Sequence, residues 1–306
     1  MMDGPLPKGI HVFERGWLSS NNILFMDTQS AALVDSGYGT HSEQTLALVS
    51  GALRGRRLDM LLNTHLHSDH CGGNAALQSA HPAMRTLIPA GQSSYVSPWD
   101  PVALTYTPTG QLCAPFRFDD VLRAGSEIQL GGHRWEIHAA PGHDPHSIIL
   151  FEPASKTLIS ADALWENGFG VVFPELEGES AFDEVGATLD LIEKLAPRRV
   201  IPGHGPVFSY RADVLVHARQ RLNAFISNPA RHAHHAAKVL LKFKLLEQQH
   251  LAFADFSAWA ARTAYFQLIR KRFFPLIEIE DWIEQLTEEL VHSAVASRQG
   301  LLIHNV

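Results

Sequence analysis

Through the first two hundred residues, short apolar runs alternate with polar or glycine-containing breaks. Residues 8–36 carry three of them, GIHVFERG, NNILFMD and SAALVDSG, and predict a β-meander. From His41 to Leu53 the apolar positions Leu46, Leu48, Val49 and Leu53 follow a helical period, with Thr40 as a candidate cap. LDMLLNT (58–64) predicts a buried strand that runs into the polar cluster HLHSDHCGGN (65–74), after which AALQSA predicts a helix. Residues 89–115 are rich in Pro, Ser and Gly and show no period. A second meander follows, with hairpins at 127–140, turning at Gly131-Gly132, and at 147–162, turning near Pro153 to Lys156. Phe182, Val185, Leu189 and Ile192 mark a helix over 180–195, and RRVIPGHG (198–205) predicts a last strand. Beyond Tyr210 the strand pattern gives way to helical segments at 211–227, 232–249, 255–273 and 280–292. They are interrupted at Asn228-Pro229 and Pro275, and the short apolar run GLLIHNV closes the chain.

This change of pattern divides the 306 residues into an expected mixed domain at 1–210 and a smaller helical domain at 211–306. With 45% apolar and 19% charged residues, the chain is neither disordered, collagen-like nor a coiled coil. The net charge of −7 is unevenly spread. Residues 1–210 hold 13 Lys and Arg against 23 Asp and Glu, whereas 211–306 hold 12 against 9. Two cysteines, Cys71 and Cys113, make no disulfide framework and match no cysteine-based zinc motif. The N-terminus, MMDGPLPKGIHVF, lacks the apolar run of a signal peptide, and no stretch approaches a membrane span. The expectation is a soluble cytoplasmic protein.

Histidine is in excess, with 18 residues against 25 Lys and Arg. His65, His67, Asp69 and His70 form His-x-His-x-Asp-His at a strand-to-helix junction. In extended backbone, residues i and i+2 point the same way, so His65 and His67 can hold one ion together. Asp69 and His70 follow the bend and can face a second. Imidazole and carboxylate suit Zn²⁺, with iron or manganese as alternatives. His143 in PGHDP, Asp162 in SADAL and His204 in PGHGP each end a predicted strand and complete a two-metal count. RHAHHA (231–236) has the wrong spacing for one helical face and is read as an exposed polar turn. His146 is a candidate for the mouth of the site, and the Cys71 side chain is expected to face away from it.

The loop THLHSDHCGGN, followed in order by APGHDPHS, ISADALW and IPGHGPV, resembles the metallo-β-lactamase-fold superfamily over residues 8–210. The resemblance implies an αββα sandwich, an α+β fold, followed here by a mostly helical, winged-helix-like C-terminal domain. It implies that His65, His67 and His143 bind one metal, that Asp69, His70 and His204 bind a second, and that Asp162 bridges them. A hydroxide held between the two cations would attack the substrate, and Asp69 would orient that nucleophile or pass its proton to the leaving group.

Departures from individual branches narrow the expectation. Asp162 stands where class B1 β-lactamases have a cysteine, and His67 stands where flavodiiron oxidoreductases have an acidic residue. The large inserts of the β-CASP nucleases are not recognisable. Gly205-Pro206 replaces the Glu-Tyr that normally follows the last ligand in glyoxalase II-like thioesterases. The first expectation is a dinuclear metallohydrolase of a small ester, thioester or lactone. An endoribonuclease that holds RNA on the basic stretch 211–277, and an iron dioxygenase variant of the fold, are the alternatives. The aromatic residues Trp259, Tyr265, Phe266, Phe273 and Phe274 are spaced as helix core, not as a base-stacking surface. Specificity is expected to lie in 89–115, 164–180 and the helical module, and a twofold dimer is the expected oligomer.

Overall fold

The computed structural model describes residues 6–306. The signal-free reading of the N-terminus rests partly on residues 1–5, which lie outside the described residues. Two six-stranded sheets face each other. The first runs in chain order through β1 (Ile10–Phe13), β2 (Asn22–Met26), β3 (Ala31–Val34), β4 (Met60–Leu62), β5 (Arg85–Pro89) and β6 (Asp120–Leu122). Its first three strands pair antiparallel, as a meander must, and β3 to β6 pair parallel. The second sheet comprises β7 (Glu127–Leu130), β8 (His133–Ala139), β9 (Ile148–Glu152), β10 (Thr157–Ala161), β11 (Arg199–Pro202) and β12 (Phe208–Ser209). Only its β10–β11 pair is parallel, because a helix intervenes there.

Side-chain alternation makes four layers of these two sheets. In β2, Ile23 and Phe25 enter the seam between the sheets, where they meet Trp135, Ile137, Leu150, Ile159 and Ile201. Leu24 points the other way, toward Val49 and Leu53 of α1 (Ser42–Leu53) and Leu77 of α3 (Asn74–Ala80), the short α2 (Ser68–Cys71) lying between those helices. The unassigned stretch 89–115 contains two single turns, α4 (Ser93–Val96) and α5 (Tyr106–Thr109). On the second sheet, Ile149, Phe151, Leu158 and Val200 pack outward. After the short α6 (Phe173–Glu177), α7 (Phe182–Leu195) and α8 (Ala212–Ser227) cover this face. The first helix of the C-terminal part thus supplies Val214, Leu215, Ala218, Leu222 and Phe225 to the sandwich's outer layer.

The chain then turns at Asn228, whose side chain caps α9 (Pro229–Gln248) at the Arg231 N–H, with Pro229 in the first helical position. α9, α10 (Phe253–Arg262), α11 (Ala264–Phe273) and α12 (Ile279–His292) enclose a separate core around Phe256, Phe266 and Trp282. The expected single helix over 255–273 is two helices, broken at the extended residue Thr263. The strands β13 (His250–Ala252), β14 (Ala296–Gln299) and β15 (Leu302–Asn305) form a small antiparallel sheet that includes the apolar run at the end of the chain. Among the described residues no helix is long and apolar enough to cross a membrane.

Several contacts fasten this module over the sandwich. Tyr38 packs edge-on against Phe243 at 5.2 Å and donates its hydroxyl to Glu247 at 3.2 Å. His232 corrects the sequence reading of RHAHHA as an exposed turn. It is 1% exposed inside α9, and its Nε2 accepts the Val172 N–H at 3.1 Å. Burial, reinforced by His235 and Arg221, lowers its pKa to about 3.

In the unfolded chain that imidazole titrates near 6.5. Between the two values only the unfolded chain binds the proton, so stability is full above about pH 6.5 and falls by roughly 1.4 kcal/mol per unit as pH drops toward the folded value. Denaturation midpoints should therefore fall between pH 7 and pH 5, and fall less in His232→Gln, whose amide oxygen can still accept from Val172. An equal fall in both proteins would remove His232 as the source.

Candidate metal centre

Four strands deliver the seven singled-out side chains to one edge of the sandwich. Beyond β4, the buried Leu66 anchors the chain while its neighbours His65 and His67 turn together to the opposite side. α2 then presents Asp69 and His70. His143 follows β8, Asp162 follows β10 and His204 follows β11. The pairing of β10 with β11 shifts register between Ile159 and Ala161, where Ala161 has φ 46°, and this bulge aims Asp162. Asn21 ties the His204 loop to the first sheet, its amide donating to the carbonyls of Pro202 (2.9 Å) and Gly205 (2.7 Å).

The candidate ligand atoms fall into two groups. Those of His65, His67 and His143 lie within 4.8 Å of one another, as do those of Asp69, His70, Asp162 and His204. His67 Nδ1 and His143 Nε2 face each other at 2.7 Å. Asp162 adjoins both groups, with Oδ2 3.4 Å from His143 Nε2 and Oδ1 3.3 Å from His70 Nε2. Asp69 Oδ2 is 3.1 Å from His204 Nε2. Close packing requires glycine at position 203, since a Cβ there would lie 2.1 Å from Asp162 Oδ1.

The surrounding hydrogen bonds orient these rings in a way sequence reasoning did not identify. Asp35, at the end of β3 with φ 58°, accepts from His70 Nδ1 at 2.8 Å and from the Thr64 N–H and hydroxyl at 2.9 and 2.8 Å. That bond keeps a proton on Nδ1, so Nε2 is the nitrogen that faces the cluster and can turn its lone pair to a cation there. His143 Nδ1 likewise donates to the Val171 carbonyl at 2.6 Å. The only sequence signal for Asp35 was an acidic residue ending an apolar strand, VDSG. Asp144, whose Oδ2 lies 3.8 Å from His67 Nε2, was also missed.

The cluster fits divalent cations. The Nε2 atoms of His65 and His70 are buried without hydrogen-bond partners, a cost that ligation removes. Burial, with repulsion from neighbouring imidazoles, holds His65 well below the usual histidine range and His67 at about 4. Both are neutral donors at pH 7. Burial alone would push Asp69 and Asp162 up, but His70 and His204 outweigh it and keep both carboxylates ionised. Burial also opposes charge on His70, yet Asp162, Asp35 and Asp69 overcome it and raise that imidazole well above its ordinary value. Positive charge is stabilised at that point.

Above the cluster lies a cavity of about 360 Å³, within the small-molecule range. Trp17 stacks on His204 with centroids 5.5 Å apart, and Trp165 meets the same ring edge-on. Gln111 and Phe173 form side walls, while Leu240 and Phe243 of α9 close the cavity from above. His146 is not in this lining; it sits against Gly91. Cys71 Sγ faces Tyr106 Oη at 3.1 Å, away from the cluster. RHAHHA forms no third ligand group among the described residues. His234 pairs with Glu289 and His235 with Arg221.

The sequence profile described as the metallo-beta-lactamase superfamily matches residues 15–204. A hydroxyacylglutathione hydrolase of Stenotrophomonas maltophilia is 30% identical over 151 residues, 49% of this chain and 48% of that protein. One from Anaeromyxobacter dehalogenans is 29% identical over 161 residues, 52% of each. The chain therefore spans about half the length of the curated relatives it matches. Among solved structures, a metallo-beta-lactamase family protein of Thermus thermophilus superposes with a TM-score of 0.56 at 19% identity, covering 99% of this chain and 100% of that one. A metallo-beta-lactamase from Pontibacter korlensis gives 0.54 at 16% identity, over 72% of this chain and 97% of that one. These likenesses concern the fold. With the superfamily profile matched over well more than half its length, this chain belongs to the metallo-beta-lactamase superfamily.

Proposed function

We propose that this chain is a metal-dependent hydrolase of small esters or thioesters, lactones included, with residues 1–210 as the catalytic domain and the helical part as its cover. The observation that carries the reading is the pair of neighbouring donor groups, Asp162 belonging to one and lying 3.4 Å from His143 of the other, at a mostly apolar cavity. His65, His67 and His143 would hold one cation and Asp69, His70 and His204 the other, with Asp162 between them. The donor set of imidazole and carboxylate suits Zn²⁺. The similarity to hydroxyacylglutathione hydrolases, named for a thioester-cleaving activity, supports the substrate class.

Two bound divalent cations would supply Lewis acidity toward a carbonyl and a water acidified toward neutrality. The chain's own side chains do the rest. Asp69 is partly exposed to the cavity and has one oxygen at His204, so its carboxylate can take a proton at the cavity floor and return it to a leaving group. Trp17 and Trp165 hold the His204 ring and exclude water beside it. Asp35 and the Val171 carbonyl fix the tautomers of His70 and His143. Among the described residues Arg221 is the only Lys or Arg lining the cavity, which suits a small molecule better than an RNA strand.

Asp69→Asn is expected to lower kcat on a responsive thioester or ester by about a hundredfold or more; a kcat within twofold of wild type would take Asp69 out of the proton transfer. Asp35→Asn should weaken metal retention by about tenfold to a hundredfold in chelator competition, because the amide has no charge and a single acceptor oxygen for the His70 and Thr64 donors that both carboxylate oxygens now serve. Unaltered retention would make Asp35 a structural residue only.

A further inference from the structure

One cation at the cavity, which Asp69, Asp162 and Glu166 also line, stands outside any ion pair among the described residues. Arg221 projects from α8 into the cavity wall, its guanidinium carbon 5.5 Å from the Phe169 ring centroid and 5.3 Å from that of Phe225. Its Nη2 donates to His235 Nε2 at 2.8 Å, and its Nε is buried without a hydrogen-bond partner. Among the described residues no carboxylate pairs with it. The turn 165–168 fits against it closely, since a Cβ on Gly168 would approach its Cδ to 3.0 Å. A guanidinium in such a position gains from an anion, and its planar fork matches a carboxylate.

The same turn connects this cation to the metal-type cluster. Trp165 N–H bonds to the Gly168 carbonyl at 2.7 Å, while Trp165 Nε1 reaches Asp162 Oδ1 at 3.3 Å. Arg221 and the cluster residues Asp69, Asp162 and His204 line the same cavity, so one small molecule can reach both. We infer that Arg221 receives a free carboxylate of the substrate, making the preferred substrates esters or thioesters that carry a second, unesterified acid group.

The surroundings select a single negative charge. Burial, then repulsion from Arg231, lowers the Arg221 pKa, so a bound anion stabilises it. Burial and Arg221 hold His235 at about 4, so that ring is neutral and the receptor carries one positive charge in the cavity. A monoanionic carboxylate matches this better than a phosphate dianion. The reaction rests on the hydrolase reading above; the anion receptor does not.

The test uses the metal-loaded full chain and matched thioesters: glutaryl against its methyl ester, and an acetyl thioester of 3-mercaptopropionate against its methyl ester. At least one free acid should exceed its ester in kcat/KM by about tenfold to a hundredfold, mainly through KM. In Arg221→Met that ratio should collapse toward one, with Arg221→Lys intermediate. Calorimetric titration with glutarate gives a readout without turnover, and R221M should weaken its binding at least tenfold. Glutarate binding that depends on Arg221, without turnover of any thioester, would sustain the receptor and fail the hydrolase reading. Turnover with equal rates for acid and ester in the wild type would do the reverse, whether or not the variants fold. Glutarate binding unaffected by R221M, or preference for a phosphate-terminated thioester over the glutaryl one, overturns the proposal.

Discussion

The structure turns on the convergence of seven metal-type donors, five of them buried, in one patch at the edge of a β-sandwich. The Nε2 atoms of His65 and His70 are enclosed without hydrogen-bond partners, and the ionised Asp69 and Asp162 sit beside them. Each such group costs of order 1–3 kcal/mol or more when left unsatisfied. Cations at the patch would turn that cost into a gain, and the surrounding bonds to Asp35 and Val171 serve to keep the lone pairs aimed inward. The close approach at Gly203, the bulge before Asp162 and the anchoring of the His204 loop by Asn21 all serve the same convergence.

The C-terminal helices give this patch its chemical setting. α8 completes the outer layer of the second sheet, and α9 places Leu240 and Phe243 over the cavity while His232 and Glu247 bind it to the sandwich. The result is a site with metal-type donors at its floor, aromatic walls and one guanidinium. An apolar enclosure of this kind strengthens every electrostatic interaction inside it, so the few charges present decide which molecules it accepts.

Much of this was legible in the chain. Alternating strands, hairpins at Gly131-Gly132 and near Pro153, and the donor-rich loop 65–74 are local signals, and the structure places each where the pattern does. What was not legible depends on distant neighbours. Asp35 reads as an ordinary strand end until β4 brings Thr64 and His70 against it. His232 reads as exposed because its burial comes from Val172, sixty residues earlier, and Arg221 acquires its setting from Phe169 on a separate loop. The break at Thr263 falls inside an apolar periodic stretch with no proline or glycine to announce it.

Metal stoichiometry tests the central claim most directly. Elemental analysis of metal-saturated protein, after removal of loosely bound ions, should give two divalent cations per chain, and Asp162→Ala should retain no more than one. A wild-type chain that binds one cation or none, or an Asp162→Ala chain that still holds two, would contradict a paired centre built on a shared carboxylate.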